Sequence, residues 1–392
     1  SAGCAVSDEL VEGLVLHLPL EDDPSDRPYP QVRTDKAPGP FGHEDGRPEL
    51  PVGRLQASRH VRGIPDDRVA APDVRAHIAH AHDASIETNA HSDLGQGALS
   101  IDANSSVVRG LMITRVPGTA LSLDGGLGNQ VQTMYLGTDG NAALGNGTGL
   151  AVWGSALNTL GGPENGKHNV ISGNVDNGIF FGDGANFNLV VNNRIGTNAA
   201  GNAALPNGYA GIRMFGDDNI IGSTGAFGGN LISGNGRFGV EVGGGEDNQF
   251  NNNRIGTDLA GTAALGNAET GVSDSAINSR IGDSVADSGK VISGNGEYGL
   301  ALGGTGTRVR TNRVGTDAAG IAALGNGSYG VRVLGDMIDI GRDGVGNLIS
   351  GSGRDAIGID ADADTIVITL NRIGTNADGS AAIPNDGGIN SG

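Results

Sequence analysis

Asn193-Arg-Ile-Gly-Thr-Asn-Ala-Ala-Gly-Asn-Ala-Ala-Leu-Pro-Asn-Gly208 returns with few changes as Asn253-Arg-Ile-Gly-Thr-Asp-Leu-Ala-Gly-Thr-Ala-Ala-Leu-Gly-Asn-Ala268 and as Asn312-Arg-Val-Gly-Thr-Asp-Ala-Ala-Gly-Ile-Ala-Ala-Leu-Gly-Asn-Gly327. Its apolar-Gly-Thr-Asp/Asn segment begins at Leu136, Ile195, Ile255, Val314 and Ile373, in steps of 59, 60, 59 and 59 residues. A fixed period of this size is the mark of a stacked repeat. A second marker interleaves, as Ile171-Ser-Gly-Asn, Ile232-Ser-Gly-Asn, Ile292-Ser-Gly-Asn and Ile349-Ser-Gly-Ser. A third is a small residue followed by alternating apolar residues. It comes twice per period, from Ala98, Ala120 and Gly149 to Ala356 and Gly388. Each period is therefore two coils of roughly thirty residues.

Within a coil the apolar runs are short and alternate, as in Gly239-Val-Glu-Val-Gly243, which predicts strands and excludes helices. Asn-Gly pairs at 146–147, 207–208, 235–236, 295–296 and 326–327 are expected to turn corners in left-handed backbone. Three strands per coil, stacked at ~4.8 Å, give an all-β parallel β-helix of ten to eleven coils over residues 96–392. Ile232 and Ile292 should face its core. Asn193, Asn253, Asn312 and Asn371, with Asn169, Asn230 and Asn347, recur at matching places and are expected to stack as amide ladders.

Composition sets the boundary. Residues 1–95 hold 8 of the 71 Gly but 10 of the 14 Pro and seven of the eight His. This segment is expected to be an irregular region that caps the first coil or serves assembly, since a terminal coil otherwise exposes core and strand edge. The net charge of −19 disfavours nucleic acid and anionic membranes as partners. No apolar run approaches the ~20 residues that span a bilayer. The single Cys allows neither an internal disulfide nor a Cys-rich zinc site.

The pattern N-R-I-G-T-[DN]-x-x-G-x-x-A-L-x-N-G followed by N-x-I-S-G-N, with Ser106-Val-Val-Arg-Gly-Leu-Met-Ile-Thr114 ahead of it, resembles the repeats of large bacterial secreted and surface proteins of the pectate-lyase-like solenoid superfamily. The resemblance implies a right-handed winding and an extracellular or cell-surface location. It does not imply one activity, because that solenoid serves lyases, hydrolases, epimerases and adhesins. The Gly-His-Gly and Arg-Ile-Lys of the pectin hydrolases and the Asp-Pro-His-Glu of the epimerases are missing, and His168 is the only His after residue 95. Ser1-Ala-Gly-Cys4 resembles the end of a bacterial lipoprotein signal, which would make Cys4 a lipidation site. Leu14-Val-Leu-His-Leu-Pro-Leu-Glu-Asp-Asp23 faintly resembles the first strand of laminin-G-like lectins, in a segment too short to complete one.

Candidate site residues follow from the strand period. In the first strand of each coil, residues two and four places after the small marker point outward. The fourth place gives Asp102, Asp124, Trp153, Gly182 and Phe215 on successive coils; the second gives Phe180, Arg213 and Glu241. Stacked in register, Asp102 and Asp124 would lie ~5 Å apart. That spacing matches a retaining glycosidase pair, or a Ca²⁺ site, or two turn residues. Trp153, Phe180 and Phe215 would form an aromatic strip suited to sugar rings, with Arg213 and Glu241 beside it. Asp217-Asp218 reads as a turn. His77, His80 and His82, with Asp73 and Asp83, are a weak metal set in a polar loop.

Three functions remain open: an extracellular structural or adhesive solenoid with no required cofactor, a carbohydrate-active enzyme, and a passive polysaccharide-binding module. The last residues enter a further coil without a cap. This leads to the expectation of a longer array or of head-to-tail self-association into a filament.

Overall fold

The computed structural model describes residues 97–391, apart from 283–289 and 343, together with the backbone of three short strands before them. Its described residues contain no helix. Strands form three sheets, each running the length of a right-handed parallel β-helix. Sheet 1 runs over eleven strands from Leu99–Ile101 to Gly387–Ser391, sheet 2 over ten from Val107–Arg109 to Val367–Ile368, and sheet 3 over ten from Leu111–Thr114 to Arg372–Ile373. Ahead of these, the backbone of Asp83–Thr88 pairs in parallel with Leu111–Thr114. Cys4, His80 and His82 lie outside the described residues, and of His77 only the backbone is placed.

The core is a set of stacked rows. In sheet 3, Ile171, Ile195, Ile232, Ile255, Ile292, Val314 and Ile349 lie in register on consecutive coils, and all are fully buried. The inward reading of Ile232 and Ile292 holds. A slip of one residue would turn each of these side chains out of the core onto the outer face of the sheet.

Polar columns run beside the apolar ones. Asn146, Asn174, Asn207, Asn235, Asn267, Asn295 and Asn326 pass hydrogen bonds along the axis, each side-chain amide donating to the Oδ1 of the next at 2.8–3.1 Å. Asn129, Asn158, Asn188, Asn219 and Asn248 form a second column. The expected series is a third. Asn169, Asn193, Asn230 and Asn253 link in turn, as do Asn312, Asn347 and Asn371, and the fully buried Lys290 takes the place between the two runs.

The Asn-Gly pairs are thus not left-handed corners. Neither their Asn nor their Gly has positive φ, and the Asn side chains are interior. Left-handed backbone falls instead on the glycines of the Gly-Thr and Ser-Gly markers, such as Gly196 and Gly234. The small marker of sheet 1 now has a cause. A Cβ on Gly211 would meet Ile232 Cγ2 at 2.7 Å and Asn235 Nδ2 at 2.8 Å, so a column of amides and a row of isoleucines already occupy that space.

The sixty-residue period comes from sheet 3. Every second coil its strand is followed by a hairpin closed by a Thr–Ala bridge, Thr197 with Ala204 and Thr257 with Ala264 among them. The Asp or Asn of the motif closes the tip: Asn198 Oδ1 accepts from the N–H groups of Asn202 and Ala203, and Asp258 Oδ1 from Thr262 and Ala263. Each hairpin reaches back to the previous one, with Leu259 N donating to Gly201 O and Ala318 N to Gly261 O, both at 2.8 Å. The hairpins overlap like shingles over the outer face of sheet 3 and bury Val170, Leu231, Val291 and Leu348 there. One shingle spans two coils. The described hairpins leave sheet 1 bare.

Candidate functional site

Sheet 1 pairs in the expected register. Ser100, Ser122, Ala151, Phe180, Arg213 and Glu241 stand side by side on successive strands. Two residues further on, Trp153 is paired with Asp124, and Asp102, Gly182, Phe215 and Gly243 continue that row.

The aromatic side chains gather. The Trp153 and Phe180 ring centroids are 4.9 Å apart and those of Phe180 and Phe215 are 6.0 Å apart, all tilted. Such offset geometry is the favourable one for neighbouring π systems. The rings lean along the axis onto glycines. A Cβ on Gly182 would come within 2.2 Å of Trp153, and one on Gly243 within 2.4 Å of Phe215. Glycine there is a clearance, letting a large ring lie against the next coil. Trp153 still keeps 47% of its surface exposed.

At the end of this strip Arg213 lies between two rings, its Cζ 5.1 Å from the Phe215 centroid and 5.2 Å from that of Tyr209. Its Nε is 2.6 Å from Glu241 Oε2, in an ion pair whose N–H does not point along the contact. Tyr209 donates its hydroxyl to Glu241 Oε1 at 2.9 Å. Burial, with that hydrogen bond and the Glu241 charge, pushes the Tyr209 phenol above its usual range. A second guanidinium, that of Arg237, lies 5.1 Å from the Tyr209 ring and pairs with Glu269 at 2.7 Å. Tyr209, Arg237 and Glu269 escaped the sequence reading because they lie two places before the small marker, where the strand has not begun to alternate. Their signal was position relative to that marker: Tyr209, Arg237 and Glu269 follow one another on consecutive coils, with Arg237 N donating to Tyr209 O and Glu269 N to Arg237 O.

Asp102 directly follows the strand Leu99–Ile101, and Asp124 ends the strand Thr119–Asp124 on the next coil. The Asp124 Oδ2 accepts hydrogen bonds from Ser100 Oγ at 2.5 Å and Ser122 Oγ at 2.8 Å. Calcium takes about six to eight oxygen ligands. The carboxylates of Asp102 and Asp124 would supply part of such a set, and Asp124 already holds two hydroxyls. Among the described residues no group of three or more His, Cys, Asp or Glu side chains is gathered as a metal site. Asp217 and Asp218 form a turn: Asp218 has φ of 55°, and Asp217 accepts from Glu246 N and from the Asn186 amide. Burial and the nearby Arg194 charge push His168 down to about 4, so it is a neutral imidazole near neutral pH.

No family model and no curated protein matches the chain. Among solved structures it is similar to that titled "Crystal structure of Dettilon tailspike protein (gp208)", with 12% identity, 74% of this chain and 60% of that chain covered, and a TM-score of 0.30. The chain thus spans about 60% of that protein's length, and no functional argument rests on the likeness.

Proposed function

We propose that this chain is an extracellular adhesive or structural β-solenoid that binds polysaccharide along the bare face of sheet 1, without turning it over. One observation carries the reading: Trp153, Phe180 and Phe215 form a contiguous, solvent-facing aromatic strip at 4.9 and 6.0 Å spacings on glycine clearances. Apolar faces of sugar rings stack on such rings. Coils ~4.8 Å apart offer an extended chain the same surface step after step. Trp153 is exposed and Phe180 and Phe215 are partly so, and aromatic surface gathered in one outward-facing place marks an interaction site. The sixty-residue repeat supplies a stiff support, the overlapping hairpins bury the outer face of sheet 3, and sheet 1 carries the aromatic strip.

Native affinity electrophoresis through gels cast with soluble polysaccharides tests this. At least one polymer should retard the chain, Trp153→Ala should restore free mobility, and the polymer should stay undegraded. Shortening of the polymer would instead make the face a catalytic groove.

A further inference from the structure

Resting on the reading of sheet 1 as a glycan surface, the geometry points to Arg213 as the residue that sets its specificity, and to an uncharged polysaccharide as what it selects. The Arg213 side chain is held on three sides: the Tyr209 ring, the Phe215 ring, and Glu241 at Nε. Glu241 is itself oriented by the Tyr209 hydroxyl. Neither terminal nitrogen of the guanidinium has a hydrogen-bond partner among the described residues, and the side chain is about one-third exposed at 35%. A planar fork of donors is thus fixed in place before any ligand arrives, beside the ring on which a sugar would stack. Pre-ordering of this kind removes the rotamer entropy that a free arginine loses on binding.

Charge decides what the fork reads. Arg213 is balanced by Glu241, and Arg237 on the other side of Tyr209 by Glu269. The cluster therefore carries no net charge, on a chain whose total is −19. A carboxylate or sulfate arriving at the fork would meet Glu241 a few ångströms away and an acidic protein beyond it. Hydroxyl and ring oxygens of a neutral sugar accept from the fork without that repulsion, and a hydroxyl can donate back to Glu241. The ligand class is a neutral glycan whose ring lies on Phe215 and whose oxygens reach Arg213.

Affinity electrophoresis of the full chain against two sets of polymers tests this. Dextran, a mixed-linkage β-glucan and galactomannan make the neutral set; polygalacturonate and alginate make the acidic one. The wild-type chain should be retarded by a neutral polymer and by neither acidic one. Arg213→Lys, which keeps the charge but loses the fork, should weaken retention about tenfold, the scale of a lost charge-assisted hydrogen bond. Glu241→Gln is isosteric and uncovers the Arg213 charge, so it should gain retention by polygalacturonate or alginate. A purely structural Glu241 would produce no such gain. Melting curves of both variants establish that they are folded. Stronger retention of the wild type by an acidic polymer, or an unchanged affinity in Arg213→Lys, would overturn the assignment while leaving the glycan surface standing. No retention by any of the five polymers would overturn both.

Discussion

The indole of Trp153 lies against Gly182 of the following coil, so closely that a β-carbon at residue 182 would sit 2.2 Å from its Cε3. The aromatic strip therefore depends on a residue with no side chain. Trp153 is also the only tryptophan in the chain, so its emission reports the strip alone.

Gly182→Ala should lift the indole off the sheet. Emission should shift to longer wavelength, polysaccharide retention should fall towards that of Trp153→Ala, and the melting temperature should change little, because the clash is relieved by the exposed ring. An unchanged spectrum would mean that the ring does not rest there.

Asn207 sits mid-column. Its Oδ1 accepts from Asn174 and its amide donates to Asn235 and to Ile171 O. Asn207→Ala would strand several buried groups at about 1–3 kcal/mol each, so a loss of roughly 3–5 kcal/mol is expected in urea unfolding. A loss below about 1 kcal/mol would show that water replaces the amide.

Ile232→Asp places a charge in the fully buried sheet 3 row. It should cost several kcal/mol or prevent folding, since nothing there pairs a carboxylate. A melting temperature near that of the wild type would refute the inward register.

How much of this was readable from the residues differs by position. Ile232 was, because inward places recur with a fixed step and alternate at period two. Trp153, Phe180 and Phe215 were, because they fall at the two outward places, two and four residues after the small marker. The column through Asn207 was not, since Asn-Gly has the local signature of a turn and only stacking reveals an interior amide. Tyr209 was not, because its partner Glu241 is 32 residues away and meets it only across two coils. Asp274 was missed for the same reason. It is fully buried in an inward row between Val242 and Leu302, and its carboxylate accepts from Ser279 at 3.0 Å and from Thr307, 33 residues on, at 2.8 Å.

Asp274 should make stability depend on pH. Burial raises its folded-state pKa, against hydrogen bonds from Thr307, Ser279 and Ala276 that act the other way. A carboxyl with a raised folded pKa contributes most when it is protonated, below its unfolded value near 3.8, and that contribution is lost as pH rises through the folded value. Relative to the wild type, Asp274→Asn should therefore gain stability between mildly acidic and neutral pH. A difference between the two that does not vary with pH would place the carboxylate in water.

The most direct test of a polysaccharide-binding face is a titration of Trp153 emission with the neutral polymers named above. A saturable shift to shorter wavelength is expected with at least one of them, as a sugar ring covers the half-exposed indole. The same titration on Trp153→Phe should be silent in fluorescence yet retain binding in the gel. Emission that stays constant with every polymer, while one of them retards the chain, would place the binding surface away from sheet 1.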